Sequence, residues 1–144
     1  MSGIWPPDVG GPASHAPEVA AELIARGHEV EVVTNAAVAP APAPYRVHWV
    51  PRRLPRGVRH LRAALLIARR AREADVVYST GMVGRSALGT MLARRPIVQK
   101  LTSDPTYERS IRYGLYGGAL DTFQGARGLR LRALRAARNF ALRR

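Results

Sequence analysis

The sequence predicts an α/β fold built on a doubly wound parallel sheet, because candidate helices and strands alternate along the chain. Two observations carry this prediction. Residues 9–34 read as a glycine turn, an amphipathic helix, a glycine stop and a valine-rich strand. Short apolar runs then alternate with helical patterns along the rest of the 144 residues. This length suits one domain with its own core, and we assign residues 1–144 to it.

The first helix and strand follow a predicted loop over residues 1–13. Ser14 is the predicted cap of the helix, Pro17 falls in its first turn, and Gly27 ends it in a left-handed conformation. A strand over residues 29–34 follows, since valines there occupy the apolar positions.

The middle of the chain holds a connector, a strand and a helix. Residues 35–44 alternate Ala and Pro, which predicts an extended connector inside the domain. Alternating apolar and polar residues predict a half-exposed strand over residues 45–49. A basic helix over residues 58–72 follows, and its periodicity predicts four buried side chains: Val58, Leu61, Leu65 and Ala68.

The remaining elements continue the alternation. Apolar runs predict strands over residues 76–79 and 97–101, with a helix over residues 86–94 between them. Residues 102–124 are polar and aromatic, which predicts short helical turns, and an arginine-rich helix covers residues 129–144. In a sheet of this topology, ligands bind beyond the carboxyl ends of the strands.

The chain carries a formal net charge of +13, and of its 23 basic residues only Lys100 is a lysine. Part of the excess of arginine over lysine is explained by GC-rich codons, because Ala, Gly and Pro, which such codons also encode, are abundant as well. A surface this basic also attracts anions, although no nucleic-acid-binding motif accompanies the charge. Cysteine is absent, which excludes disulfides and thiolate metal sites, and no apolar run is long enough to cross a bilayer.

Several candidate residues come to the carboxyl edge of the predicted sheet. Gly10 and Gly11 let a ligand approach the N–H groups at the start of a helix, which suits an anion; a plain turn is the alternative. His15 either contacts a ligand or serves in packing, and it is too isolated for a metal site. Lys100 either holds an anionic group or is a solvated strand end. Three further residues are expected to line the cleft: Tyr78, Thr80 and Gly81.

Asp104, Glu108 and Arg109 form a polar group that follows the last predicted strand. On a helical turn, Asp104 and Glu108 share one face and can orient hydroxyl groups of a ligand. Two alternatives stay open for this group: a hydrolytic pair of carboxylates, or a capped and salt-bridged loop.

Five segments of the sequence carry a resemblance to a known family. They are GGPASH at 10–15, RGHEVEVVT at 26–34, DVVYSTG at 75–81, RRPIVQKLTSDPTYERS at 94–110 and LDTFQ at 120–124. Together they resemble the acceptor-side, N-terminal domain of family-4-like glycosyltransferases, which are retaining enzymes with the GT-B fold. The first two segments are shared by many GT-B enzymes, whereas the last two are specific to one subgroup.

The resemblance implies transfer of a sugar from a nucleotide-diphosphate sugar to an acceptor hydroxyl, with retained anomeric configuration. It implies no metal and no cofactor besides the donor substrate. The acceptor would be a glycan or a lipid-linked sugar, positioned by Asp104, Glu108 and Arg109. The residues that would hold the donor phosphate are Gly10, Gly11, His15 and Lys100.

The chain departs from the family pattern in three places. Only Ile4 and Trp5 stand where a buried first strand is expected, so the sheet is predicted to lack most of that strand. The C-terminal, donor-binding domain of the family is expected to be absent from these 144 residues. Tyr78 and Thr80 occupy the region in which many members carry a histidine. We therefore expect a fragment of a glycosyltransferase that is inactive by itself.

Two other functions stay open. A non-catalytic basic module would bind anionic lipid or, less favoured, nucleic acid through the final helix, in which arginines and leucines alternate. A sugar-nucleotide epimerase of related fold is the second alternative. The start of the chain has no features of a signal peptide, which predicts a cytoplasmic protein. Two alternatives stay open for the basic final helix: peripheral contact at the inner face of the membrane, or the favoured one, an interdomain helix whose charges are solvated.

Overall fold

A computed structural model describes residues 1–143 as helices that alternate with short parallel strands. The predicted strands and helices after residue 28 are found, most of them within three residues of their predicted ends. The predicted last residue of the final helix, 144, lies outside the described part. In chain order the elements are α1 (Gly11–Ala25), β1 (Glu31–Ala36), β2 (Arg46–Pro51), α2 (Arg56–Ala71), β3 (Val77–Ser79), α3 (Val83–Ala93), β4 (Ile97–Gln99), α4 (Pro105–Arg112), α5 (Leu120–Phe123) and α6 (Leu129–Leu142).

The strands form two parallel pairs, β1 with β2 and β3 with β4, and the start of the chain lies between them. Ser2 forms parallel bridges to Thr34 on one side and to Thr80 on the other. The Ser2 N–H donates to the Val33 carbonyl at 3.1 Å, and the Thr80 N–H donates to the Met1 carbonyl at 2.9 Å. The predicted loop is found over residues 3–10, but the first two residues of the chain occupy the position of the central strand.

Helix α1 begins one turn earlier than predicted. Its N-cap is Gly10 rather than Ser14, and Pro17 lies inside the helix instead of in its first turn. Gly27 has a φ of +83°, which confirms the left-handed residue predicted to end the helix. The earlier start matters for function, because it places the glycine pair directly at the positive end of the helix.

Helix α2 buries a different face from the one predicted. Val58, Leu61 and Leu65 are 45%, 60% and 53% exposed, and only Ala68 of the predicted four is buried. The buried face consists of small residues and one isoleucine: Ala63, Ala64, Ile67, Ala68 and Ala71. The small side chains allow α3 to approach closely, since a Cβ on Gly89 would lie 2.7 Å from Ile67 Cβ and 3.0 Å from the Ala64 carbonyl oxygen.

The segment from α4 to α6 packs around Phe123, which is fully buried. The rings of Tyr107 and Tyr116 contact it edge-on, with centroids 5.3 and 5.1 Å away. Arg135 lies over the same ring at 5.0 Å and donates to the Phe123 carbonyl at 2.6 Å. Helix α6 returns to β4, where Gln99 Nε2 donates to the Ala141 carbonyl at 3.1 Å.

Candidate functional site

The carboxyl ends of the strands meet around Gly3, as the predicted topology requires. Arg52, which follows β2, donates to the Gly3 carbonyl at 3.2 Å and to the Asn35 carbonyl at 3.3 Å. Gly81, which follows β3, has a φ of +125°, and a Cβ there would lie 3.3 Å from the Gly3 nitrogen. A side chain at Gly81 would therefore be strained and would press on the neighbouring backbone, so glycine is needed at this crossing point.

The glycine pair opens helix α1 toward this edge. Gly10 has a φ of +156°, and its carbonyl accepts the Ala13 N–H at 2.8 Å. No side chain caps the helix, and its first turn contains no acid. Pro12 removes one of the free N–H groups, so Gly10 and Gly11 supply the backbone donors on which an anion would depend.

Three predicted site residues from three separate elements are in contact. His15 of α1 places its Nε2 3.1 Å from the hydroxyl of Tyr78 in β3. The Nζ of Lys100, which follows β4, lies 3.0 Å from the same nitrogen. The sequence separations are large, so only the fold brings these side chains together. We call His15, Tyr78 and Lys100 the histidine cluster.

The hydrogen bonds of the histidine cluster determine which nitrogen of His15 carries the proton. An ammonium group can only donate, so the contact with Lys100 requires Nε2 of His15 to be the acceptor, and Nδ1 then carries the ring proton. The Tyr78 hydroxyl competes for the same lone pair. Because one lone pair serves only one donor at a time, either Lys100 or Tyr78 is free to bind a ligand oxygen.

The other two residues predicted to line the cleft differ in accessibility. Thr80 is 4% exposed, and its N–H is taken by the Met1 carbonyl. Gly81 is half-buried, and its carbonyl accepts the Ser79 hydroxyl at 2.6 Å. A ligand at the carboxyl edge would therefore meet the backbone of Gly81 before it met the side chain of Thr80.

Asp104 is held in a structural role at the start of α4. Its Oδ1 accepts the N–H groups of Thr106 at 2.7 Å and Tyr107 at 3.3 Å, which caps the helix. Its Oδ2 forms an ion pair with Arg138 of α6, and both side chains are largely buried. Both carboxylate oxygens are thus occupied, as the capped and salt-bridged alternative for this segment anticipates.

Glu108 and Arg109 are exposed on α4. The Oε1 atom of Glu108 accepts the Ser103 hydroxyl at 2.5 Å, and its second oxygen stays available. The three predicted residues therefore differ in kind: Asp104 orders the helix, whereas Glu108 and Arg109 present their groups to solvent. Their assignment to an acceptor stays a prediction.

The structure also groups Arg109 with two arginines that the sequence did not single out. Arg59 and Arg85 lie in the first turns of α2 and α3, and Arg109 lies on α4. Burial, and to a smaller extent the charges of Arg59 and Arg109, lower the pKa of Arg85 to about 10. The available signal was weak: each arginine follows a strand or loop end, but nothing in the sequence links the three.

The described residues contain neither a metal-binding group of side chains nor a helix that could span a membrane. Within residues 1–143, no group of three or more His, Cys, Asp or Glu side chains is placed to hold a metal ion. Over the same part of the chain, every helix is too short or too polar to cross a membrane.

The parallel strands, the glycine-opened helix and the polar groups at one edge of the sheet define an α/β domain of the Rossmann-like kind. The sequence comparison is more specific: residues 10–144 match the family model described as a glycosyl transferase 4-like domain. The chain therefore belongs to this family. No curated protein and no solved structure matches it.

Proposed function

We propose that this chain is the acceptor-side domain of a retaining glycosyltransferase with the GT-B fold and a doubly wound sheet. The family match supports the enzyme class. The observation that carries the proposal is the histidine cluster, because it gathers a hydroxyl, an imidazole and an ammonium group from three elements at the carboxyl edge. A donor-binding domain on the facing side of the cleft would complete the site.

The proposed reaction moves a sugar from a nucleotide-diphosphate sugar to an acceptor hydroxyl. The bond between the anomeric carbon and the donor phosphate oxygen breaks, and the acceptor oxygen bonds to the same face of that carbon. A phosphate oxygen takes the acceptor proton, and the nucleoside diphosphate departs. The reaction uses no metal and no cofactor besides the donor, and it retains the anomeric configuration.

The protein would act mainly by stabilising negative charge on the donor phosphate and by positioning the acceptor. The N–H groups of Gly10 and Gly11 and the ammonium of Lys100 would stabilise the phosphate as negative charge develops on it. His15 would orient Lys100 or Tyr78, whichever donates to its single lone pair, and would leave the other free for a ligand oxygen. At α4, Glu108 and Arg109 would bind acceptor hydroxyls, with Asp104 as the positioning residue that orders the helix.

The first test is a binding experiment monitored by amide chemical shifts. We expect UDP or GDP to shift the amides of Gly10, Gly11 and Lys100 at millimolar concentration, because this half of the site contacts only the phosphate end. Lys100→Ala should abolish the shifts, whereas Lys100→Arg should retain them because it keeps the charge. Arg130→Ala, an exposed position on α6, is the control.

Two results would contradict this division of labour. Micromolar binding of a UDP or GDP sugar to the 144 residues would mean that they hold the whole donor site. Shifts that avoid the glycine pair and the histidine cluster altogether would place nucleotide binding elsewhere and would remove the support for sugar transfer at this edge.

A second candidate is a basic module that binds anionic lipid, with peripheral membrane contact. The exposed arginines of α6 favour it, but Arg135 and Arg138 are already bound within the protein. Nucleic acid is a weaker form of the same proposal, since no recognition motif is present. An affinity for anionic vesicles that falls steeply between low and physiological salt concentration would support this candidate. An affinity that does not change with salt concentration would oppose it.

A further inference from the structure

Three helices bring arginines together without a matching acid. The charges of Arg59 of α2 and Arg109 of α4 both act on Arg85 of α3. The Nη1 atom of Arg85 is shielded from solvent and makes no hydrogen bond within residues 1–143. A buried guanidinium N–H without an acceptor is costly, which points to an acceptor supplied by a ligand. We call Arg59, Arg85 and Arg109 the arginine cluster.

The charges around the arginine cluster are all of one sign. Burial and then the charges of Arg85, Arg59, Arg109 and Arg56 lower the pKa of His60. Among the described residues, no carboxylate contributes to the pKa shift of His60 or of Arg85. Asp8 pairs with Arg52 at 3.1 Å, and Glu108 accepts the Ser103 hydroxyl. The local field is therefore positive and uncompensated.

The helix ends add to the same field. Helices α2 and α3 both begin without a capping side chain and without an acid in the first turn. Arg59 and Arg85 lie in these first turns, where the partial positive charge of each helix is concentrated. Tight packing fixes the two helices against each other, since Gly89 has no room for a Cβ beside Ile67. The arginines therefore stand on rigid elements.

We propose that the arginine cluster binds a phosphoryl group carried by the acceptor, so that the acceptor is a phosphorylated or phosphate-linked compound. Guanidinium groups pair with phosphate oxygens through parallel N–H bonds, and a tetrahedral dianion offers enough oxygens for all three. A carboxylate offers only two oxygens and one charge. The claim that the bound compound is the sugar acceptor rests on the proposed function, whereas anion binding at this site can be tested without any sugar transfer.

The His60 imidazole gives a readout that is specific to the site. Its pKa is followed by NMR on the full chain in sulfate, a tetrahedral dianion, and in chloride and formate at the same ionic strength. We expect sulfate to raise the pKa of His60 at millimolar concentration, because a bound dianion cancels the field of the arginines. Chloride and formate should raise it much less, through screening alone.

Two variants test the assignment. Arg85→Gln and Arg109→Gln should each weaken sulfate binding about tenfold or more, because each removes charge-assisted hydrogen bonds. Arg109 is exposed, so its substitution tests the site even if Arg85→Gln perturbs folding. Arg130→Gln on α6 is the matched control and should leave the sulfate affinity unchanged. An equal response to sulfate, chloride and formate, or an unchanged affinity in both cluster variants, would overturn the proposal.

The source of the phosphoryl group is decided by two soluble compounds. Glucose 1-phosphate represents a sugar phosphate, and a short-chain phosphatidic acid below its micelle concentration represents a lipid phosphate. The compound that competes with sulfate at lower concentration identifies the source. If sulfate binds at the cluster while nucleotides leave the glycine pair and the histidine cluster unaffected, the anion site stands and the proposed function fails. The reverse pattern would overturn the anion site alone.

Discussion

Arginines serve opposite purposes in two regions of this molecule. In the segment from α4 to α6, Arg135 and Arg138 are each partly buried and bonded within the protein. Arg135 donates to the carbonyls of Phe123 and Ala126, although its Nε has no partner, and Arg138 pairs with Asp104. At the first turns of α2 and α3, Arg85 is partly buried beside other arginines and leaves a nitrogen without an acceptor. The same residue type is thus neutralised in one region and concentrated in the other.

The difference shows which part of the +13 charge is available to a ligand. The arginines that hold α6 in place already donate to internal carbonyls or pair with an internal carboxylate, so they stabilise the fold. In the arginine cluster, Arg59 donates to the Arg52 carbonyl at 2.6 Å, but within residues 1–143 no carboxylate pairs with any of the three guanidinium groups, and the repulsion between their charges opposes folding. Concentrated like charge at the edge where ligands bind in this fold is the pattern expected of a functional site.

The largest effect is expected where an arginine is paired. Asp104→Ala should lower the free energy of unfolding by about 3 kcal/mol, because it removes a helix cap and strands Arg138 without its partner. Urea denaturation measures the change. Asp104→Asn keeps the cap and loses the charge, so it should lie between the wild type and Asp104→Ala. A loss below about 0.5 kcal/mol in Asp104→Ala would show that the pair contributes nothing.

The next effect tests the packing beneath the unpaired arginines. Gly89→Ala should destabilise the protein by about 2 kcal/mol, because the new methyl group would overlap Ile67 and meet the Ala64 carbonyl. Ile67→Ala removes the Cγ2 atom that lies nearest to the new methyl group, so the loss of stability in the double variant should be smaller than the sum of the losses in the two single variants. If Gly89→Ala is neutral in thermal denaturation, α2 and α3 are not rigidly packed and the arginine cluster is not preorganised.

The packing between α2 and α3 also explains which predictions from the sequence were wrong. Val58, Leu61 and Leu65 repeat at helical spacing and so favoured a core-facing stripe, yet they are exposed. The helix instead turns its alanines inward, because only small side chains permit the close approach at Gly89. Hydrophobic periodicity finds the helix, but it does not show how closely the partner helix approaches.

The candidate site was predictable to the extent that topology governs it. The rule that ligands bind at the carboxyl ends of parallel strands selected three segments, residues 10–11, 80–81 and 102–104. His15 and Lys100 were candidates because they lie at a helix start and at a strand end, and the structure brings both into contact with Tyr78. The arginine cluster was not predictable, because Arg59, Arg85 and Arg109 come from three helices whose mutual placement the sequence does not encode locally. The structural role of Asp104 depends likewise on Arg138, which is distant in sequence.

A smaller effect of opposite sign is expected for the unpaired arginine. Arg85→Gln should leave the stability unchanged or raise it by up to about 1 kcal/mol at low salt, because it relieves burial and repulsion of a charge. Added salt should reduce the difference in the free energy of unfolding between Arg85→Gln and the wild type, because salt screens the repulsion that the substitution removes. The comparison with the Asp104 variants is made in the same urea series. A destabilisation as large as that of Asp104→Ala would show that Arg85 has an internal partner and would end the contrast.

The smallest effect concerns pH. Because burial and the neighbouring arginines hold the pKa of His60 below its ordinary value of 6.5, the folded protein takes up this proton less readily than the unfolded chain. Stability should therefore fall as the pH drops from 6.5 toward the lower pKa of the folded state. His60→Gln should flatten this part of the urea-midpoint profile between about pH 7 and pH 5. Bound sulfate should flatten it in the wild type as well, because an anion in the arginine cluster restores the ordinary proton affinity of the ring. A profile that sulfate changes no more than chloride does, at equal ionic strength, would mean that the arginines act on His60 but not on a ligand.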